Sequence, residues 1–230
     1  MSLSFSQYLD LINSGGIFRQ RIKLELLRYS DFSPYQQITS DIISGSGQLN
    51  IERKNGCRRT FSCSLINSTI DYVGKYVPDP SNNILNPRQP IRLWLGLANE
   101  NGEEYFNSCG IFFLTDPISK SNFAESIVDL NLSDAFSLFD GTIGGELNST
   151  YIINLGTNIY TAITSILQTE NYYPLPCILD SQYVSEITPY TMTKSAGETF
   201  SDILVDLALM LSANIYFNKN GELVFEKDSK

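Results

Sequence analysis

Between residues 21 and 139 the dominant signal is a run of stretches with apolar side chains at every second position, and no other feature of the chain constrains its fold so tightly. RIKLELL (21–27) sets Ile22, Leu24 and Leu26 on one face. CRRTFSCSLI (57–66) does so with Cys57, Phe61, Cys63 and Leu65, and IRLWLGL (91–97) with Ile91, Leu93, Leu95 and Leu97. Successive side chains of a strand point to opposite faces, so each stretch reads as a strand with one buried face. ESIVDLNL (125–132) alternates through Val128, Leu130 and Leu132, and GQLNIE (47–52) through Leu49 and Ile51. GIFFLTD (110–116) is apolar in both phases, the pattern of a strand covered on both sides. Six strands joined by Gly, Asn and Pro segments predict an antiparallel sheet that curls or closes, a barrel-like domain over residues 19–140. A chain of 230 residues can bury roughly 70% of its unfolded surface, so core size sets no limit.

The period changes near GTIGGELNST (141–150). From Thr157 to Glu170, Ile159, Ala162, Ile163, Ile166 and Leu167 share one helical face, with Thr157 or Asn158 available as N-cap. Further on, Ser195 and Glu198 have capping-box spacing, and Phe200, Ile203, Leu204, Leu207, Ala208 and Leu211 form a stripe. These patterns predict helices over 157–170 and 199–213. The chain then runs into SANIYFNKNGELVFEKDSK, which reads as a hairpin turning at Asn218-Lys219-Asn220-Gly221. Ile215, Phe217, Leu223 and Phe225 lie on one side of it and Tyr216 and Val224 on the other. Two strands cannot cover two apolar faces, so the hairpin is expected to meet more protein: further strands of a longer chain, or a second copy. At the other terminus Phe5, Tyr8, Leu9 and Ile12 have helical spacing and predict a short docking helix ended by Gly15-Gly16. KYVPDPSNNILNPRQP (75–90) carries Pro78, Pro80, Pro87 and Pro90 and reads as a long surface excursion. The expected organisation is an N-terminal arm (1–18), the barrel-like sheet (19–140), and a helical segment with a terminal hairpin (141–230), an α+β fold in which antiparallel β predominates.

The chain has no histidine, which removes Ser-His-Asp triads, Cys-His pairs and His-ligated metal sites. Its 16 Lys and Arg form no run and the net charge is −9, so binding of nucleic acid by phosphate neutralisation is not expected. No apolar run approaches the ~18 residues of a membrane span. Cys57, Cys63, Cys109 and Cys177 lack C-x-x-C spacing and read as free thiols. The sequons at Asn67, Asn131 and Asn148 follow no secretory leader and read as chance matches. Glu103-Glu104 lies beside an Asn-Gly turn, Asp129 and Asp134 flank a strand end, and Glu198 and Asp202 open a helix; each place has an ordinary structural use for a carboxylate. No nucleotide, nucleophile-elbow or metal-loop motif is present, so neither catalytic residues nor a cofactor are assigned. Adjacent Arg58 and Arg59 point to opposite faces of their strand. Arg58 shares the polar phase and should be exposed, whereas Arg59 shares the phase of Phe61 and needs a partner, either an acidic side chain or another subunit. Trp94 lies on the outer phase of its strand, to be covered by this chain or by a partner.

Taken in order, RIKLELL, IISGSGQLNIERKNGCRRTFSCSLIN, IRLWLGLANENGEEYFNSCGIFFLTDP, ESIVDLNLSDAFSLFDG and GETFSDILVDLALMLSANIYFNKNGELVFE resemble the baseplate or tail-tip hub proteins of tailed phages and prophages, related to the T-even hub and to the N-terminal region of tail-associated lysins. The resemblance spans roughly residues 19–226 and rests on the ordered set. It implies two similar β-barrels with inserted helices, and three chains forming a ring that matches the hexameric tail tube. It also implies a non-enzymatic role linking tail tube to tip or spike, tail proteins as partners, and a place in the virion tail after synthesis in the bacterial cytoplasm. On this view residues 141–230 are the start of a second, incomplete hub domain, and Arg58, Arg59, Trp94, Tyr216, Phe217, Val224 and Phe225 are candidate subunit contacts. Two rival readings are a carbohydrate-binding β-domain, which would gather Trp94, Tyr105 or Tyr151 in one groove, and a glycoside hydrolase with paired carboxylates.

Overall fold

A computed structural model describes residues 4–13, 15, 18–53, 57–67, 69–70, 73–74, 76, 85–86, 88–116, 118–121, 126–170 and 173–227. Helix α1 (Phe5–Asn13) precedes ten strands: β1 (Arg19–Leu27), β2 (Pro34–Ile38), β3 (Gln48–Glu52), β4 (Arg58–Ile66), β5 (Thr69–Ile70), β6 (Val73–Gly74), β7 (Pro90–Ala98), β8 (Glu104–Leu114), β9 (Ile118–Ser121) and β10 (Ser126–Asp134). Eight of them form one antiparallel sheet in the order β2-β1-β7-β8-β10-β4-β3, with β9 paired to the start of β10. All six strands expected from the apolar pattern are present, and the short polar strands β2 and β9 join them. PYQQI and ISKS carry no alternating apolar signal, because edge strands are held by backbone bonds more than by a buried face. The β5–β6 pair is a separate small ladder.

The sheet curls, but no continuous ladder closes it into a barrel. Its path ends at β2 and β3, and the segment leaving β2 crosses to β4 through a single bridge, Ile42 to Leu65. Within the curl Leu24, Leu26, Phe61, Cys63, Leu65, Ile91, Leu93, Val128, Leu130 and Leu132 make an inner core. These are the residues that alternation places inward. Each such buried side chain contributes about 1.5–3 kcal/mol. Leu49 borders that core, while Ile51, in the same phase, is exposed at the edge strand. Parts of the supposed surface excursion also belong inside: Tyr76 and Leu85 are buried in this core, and Pro90 is buried as the first residue of β7, where a proline removes no interior ladder bond. Pro78, Pro80 and Pro87 lie outside the described residues.

After β10 come a 3-10 turn (Ala135–Leu138), β11 (Tyr151–Ile153), α2 (Ile159–Leu167), β12 (Cys177–Leu179), β13 (Met192–Lys194), α3 (Phe200–Leu211), β14 (Ala213–Phe217) and β15 (Leu223–Lys227). Asn158 caps α2 by accepting from the Thr161 amide. The capping box of α3 is Thr199 with Asp202, not Ser195 with Glu198; the Glu198 carboxylate instead accepts from the Ser195 amide, one turn early. The terminal hairpin forms as expected, and β12 adds in parallel to β15, giving a three-stranded sheet β12-β15-β14. Its Ile215, Phe217, Leu223 and Phe225 enter a second core that also holds Leu27, Ile111 and Phe113 of the large sheet, Phe32 of the β1–β2 turn and the buried faces of α2 and α3. Strand β8 therefore divides two cores, Ile111 and Phe113 facing one and Phe112 and Leu114 the other. This is why GIFFL is apolar in both phases.

Candidate assembly interface

The Arg58-Arg59 pair stands where the large sheet meets the C-terminal part. Alternation sends Arg59 inward, and its guanidinium reaches three elements: Nη1 donates to Cys109 O at 2.6 Å, Nη2 to Phe217 O at 2.8 Å, and Nε lies 3.7 Å from Asp134 Oδ2. Gly110, with φ of +126°, makes room for it, since a Cβ there would sit 2.7 Å from Nη1. Asp134 is nearly inaccessible, accepts from the Arg59 amide at 2.8 Å, and caps the following turn through the Phe136 amide at 3.2 Å. Burial pushes its carboxyl up to about 6 against the opposing pull of Arg59 and those backbone donors. The acidic side chain is therefore the partner Arg59 required, and the contact is made within the chain.

Arg58 is not exposed, because the C-terminal part lies over the Arg58 end of β4, although Thr60 in the same phase stays exposed. Its guanidinium sits 3.8 Å from the centre of the Phe136 ring, 3.5 Å from Asp140 Oδ2, and donates to Ser201 Oγ at the start of α3. A second clamp stands at Arg88, which pairs with Glu170 after α2, while Tyr173 Oη donates to Arg88 O at 3.1 Å. Arg88 has φ of +64°, an uncommon conformation for a side chain of its size. Burial raises the Glu170 carboxyl, and Arg88 opposes the shift. Two arginine clamps and the shared core thus hold sheet and C-terminal part together. The partners lie 50 to 158 positions apart in the chain, so no local pattern could signal Arg88, Glu170, Asp140 or Ser201.

Of the other candidate contact residues, Phe217 packs edge-on to Phe136 at 5.0 Å, and Phe225 and Val224 are buried in or against the hairpin. Tyr216 is half-buried, donates to Glu226, and its strand makes one parallel bridge to Cys57. Trp94 stands apart on the outer face of the large sheet with Lys23 Nζ 4.3 Å over its ring. Tyr105 packs on Tyr8 of α1 and Tyr151 on Phe200, so the three aromatics do not share a groove. Four exposed apolar side chains in the C-terminal part carry no signal in the sequence. Leu155, Val184, Ile187 and Tyr190 are more than half exposed on two loops tied by Gly156 N–H to Thr188 O, Thr188 N–H to Thr157 O and Asn158 Nδ2 to Val184 O, each at 2.9 Å. Such residues follow neither helical nor strand period.

The polar groups weighed for chemistry have structural partners. Glu103 accepts from Asn99 Nδ2, Glu104 pairs with Arg21, and Asp129 accepts from Ser64. Burial pushes the Cys63 and Cys177 thiols up to about 12 and raises Cys109, keeping them protonated at neutral pH. Among the described residues no group of three His, Cys, Asp or Glu could hold a metal, and no helix is long and apolar enough to cross a membrane.

No protein-family model and no curated protein matches the chain. Its fold does match solved structures. The 43 kDa tail protein of prophage MuSo2 from Shewanella oneidensis aligns over 91% of this chain and 53% of its own length, with TM-score 0.52 and 15% identity. The tail protein from Neisseria meningitidis MC58 aligns over 90% of this chain and 51% of its own, with TM-score 0.55 and 9% identity. A chain of the Francisella PdpA-VgrG complex aligns over 93% of this chain and 32% of its own, with TM-score 0.53 and 12% identity. The chain spans about half the length of the two tail proteins, and the likeness at these identities is one of fold.

Proposed function

We propose that this chain is a non-catalytic structural component of a phage or prophage tail hub, linking the tail tube to the tip or spike. The observation that carries the reading is the extent of the fold match, nine tenths of the chain against two tail proteins. In this reading residues 19–140 are the first hub domain, 141–230 the start of a second, and 1–18 an arm; the hub is a homotrimer contacting other tail proteins. Three features support it. The two arginine clamps suit a structural part, because each ties elements distant in sequence. The apolar loops around Leu155 and Ile187, joined by backbone hydrogen bonds, are the kind of surface that protein partners cover. The net charge of −9 would let DNA pass without holding its phosphates. The carboxylates considered for acid–base work are occupied as caps and pairs, which favours assembly over hydrolysis.

The test is location. Tails purified from a lysate of the encoding bacterium should carry the chain at one tail end, seen by antibody labelling in electron microscopy. Recovery of the chain only in the particle-free fraction would overturn the proposal. Cell-wall hydrolysis by the purified chain above a buffer control, lost on changing one carboxylate to its amide, would overturn the non-catalytic part.

A further inference from the structure

We infer that the free edge of β1, over residues 19–23, is a docking site for one extended strand of a partner protein in which apolar and acidic residues alternate. The edge is open because the two neighbours of β1 cover different lengths of it. Strand β7 pairs with β1 over residues 19–26, whereas β2 covers only residues 24–27 and ends at Ile38. The chain then crosses toward β4, where Ile42 bridges Leu65, and no described segment continues along the line of β2. In a strand the backbone donors and acceptors of alternate residues point to opposite sides. Those of residues 19–23 that point away from β7 therefore have no partner among the described residues.

Beside this edge β1, β7 and β8 run out beyond the inner core, and the curl leaves an open cleft of about 980 Å³. Ile22, Leu49, Leu95 and Leu97 line it, the first three being half-buried margins of that core. The two phases of β1 make different demands on a strand laid alongside, because residues directly opposite in a ladder share a face. A side chain opposite Gln20 or Ile22 enters the cleft and is favoured if apolar. One opposite Arg19, Arg21 or Lys23 lies among cations on the outer face. Arg19 has no ion pair among the described residues, while Arg21 and Lys23 meet Glu104 and Glu25, each at 3.2 Å. In a chain of net charge −9 this edge is a local exception, and it selects acidic residues at the outer positions, since opposite charges across a ladder attract. The same rule disfavours a second copy adding through the same edge, where these cations would face their own kind. The free length equals that of an ordinary strand, so backbone bonds would supply the affinity while cleft and cations read the alternation.

The inference does not rest on the tail reading, since the probe is a synthetic peptide and the readout is binding to the purified chain. A fluorescein-labelled peptide of about nine residues, alternating valine and glutamate, should bind the full chain saturably, with a dissociation constant below about 500 µM by anisotropy. The same peptide with lysine in place of glutamate should bind at least about tenfold more weakly. Of two further versions, one N-methylated at every valine and one at every glutamate, one should lose binding and the other keep it, because the strand pairs through a single edge. Amide hydrogen exchange of the unaltered chain should slow within residues 19–23 when the glutamate peptide is bound. Arg19→Glu combined with Arg21→Glu, checked for fold by far-UV circular dichroism, should weaken the glutamate peptide at least about tenfold and strengthen the lysine one. The inference would be overturned by the absence of saturable binding, by equal binding of the two charge versions, by methylated versions that behave alike, or by protection at another strand edge and not at 19–23. A mass that rises with concentration in the absence of peptide, with protection of 19–23 on self-association, would assign the edge to a second copy and overturn it as well.

Discussion

The two halves of β8 belong to one ribbon and meet opposite fates. Gly110–Leu114 is buried at every residue, with one phase in the inner core and the other under the C-terminal part. Glu104–Cys109 is half-buried to exposed along its whole length, facing the open cleft on one side and the Lys23–Trp94–Phe106 face on the other. The residue types foreshadow this, since GIFFL contains no polar side chain and EYFNSC contains Glu104, Tyr105, Asn107 and Ser108. What separates the halves physically is what is laid against them. The C-terminal part, pinned by Arg58, Arg59 and Arg88, covers one half, and nothing in the described chain covers the other to the same depth.

That contrast predicts a gradient of mutational cost, measured by urea or thermal unfolding. Phe113→Ala removes a fully buried ring from the second core and should cost about 3–5 kcal/mol, whereas Phe106→Ala on the other half should cost about 1 kcal/mol. Equal losses would mean that both halves are sealed. Arg59→Ala should cost about 3–5 kcal/mol because it strands the buried Asp134 and leaves the Phe217 and Cys109 carbonyls without their donor; a loss below about 1 kcal/mol would show that the clamp is dispensable.

Asp134 supplies a pH signature with a definite sign. Its carboxyl titrates near 6 in the folded chain against 3.8 ordinarily, so between those values the folded state holds the proton more tightly. Stability contributed by this group is therefore present below about pH 4 and is lost as pH rises to about 6, by at most about 3 kcal/mol. Asp134→Asn should flatten the stability profile across that window, and an unchanged slope would assign it to other groups. Gly110→Ala, strained by its φ and by the nearness of Arg59, should cost about 1–3 kcal/mol. At the bottom of the scale, Arg21→Ala breaks an exposed pair with Glu104 on the open half and should change stability by less than about 0.5 kcal/mol.

Much of this molecule follows from the sequence alone, because local periodicity records which face of an element is turned away from water. The five alternating strands, the doubly covered β8, the start of α2 at Thr157 or Asn158, the stripe of α3, the terminal hairpin and the inward phase of Arg59 are all of this kind. Periodicity does not record what does the covering. That Arg59 reaches Phe217, that Arg58 is covered by Asp140 and Ser201, and that Arg88 holds Glu170 were decided between residues 82 to 158 positions apart. The short strands β11 to β13, three residues each, are too brief to show a period and exist because partners lie beside them. The sheet stops short of a barrel for the same reason: closure depends on whether the segment after β2 pairs along β4 or joins it by the single Ile42–Leu65 bridge, and both outcomes bury the same apolar face.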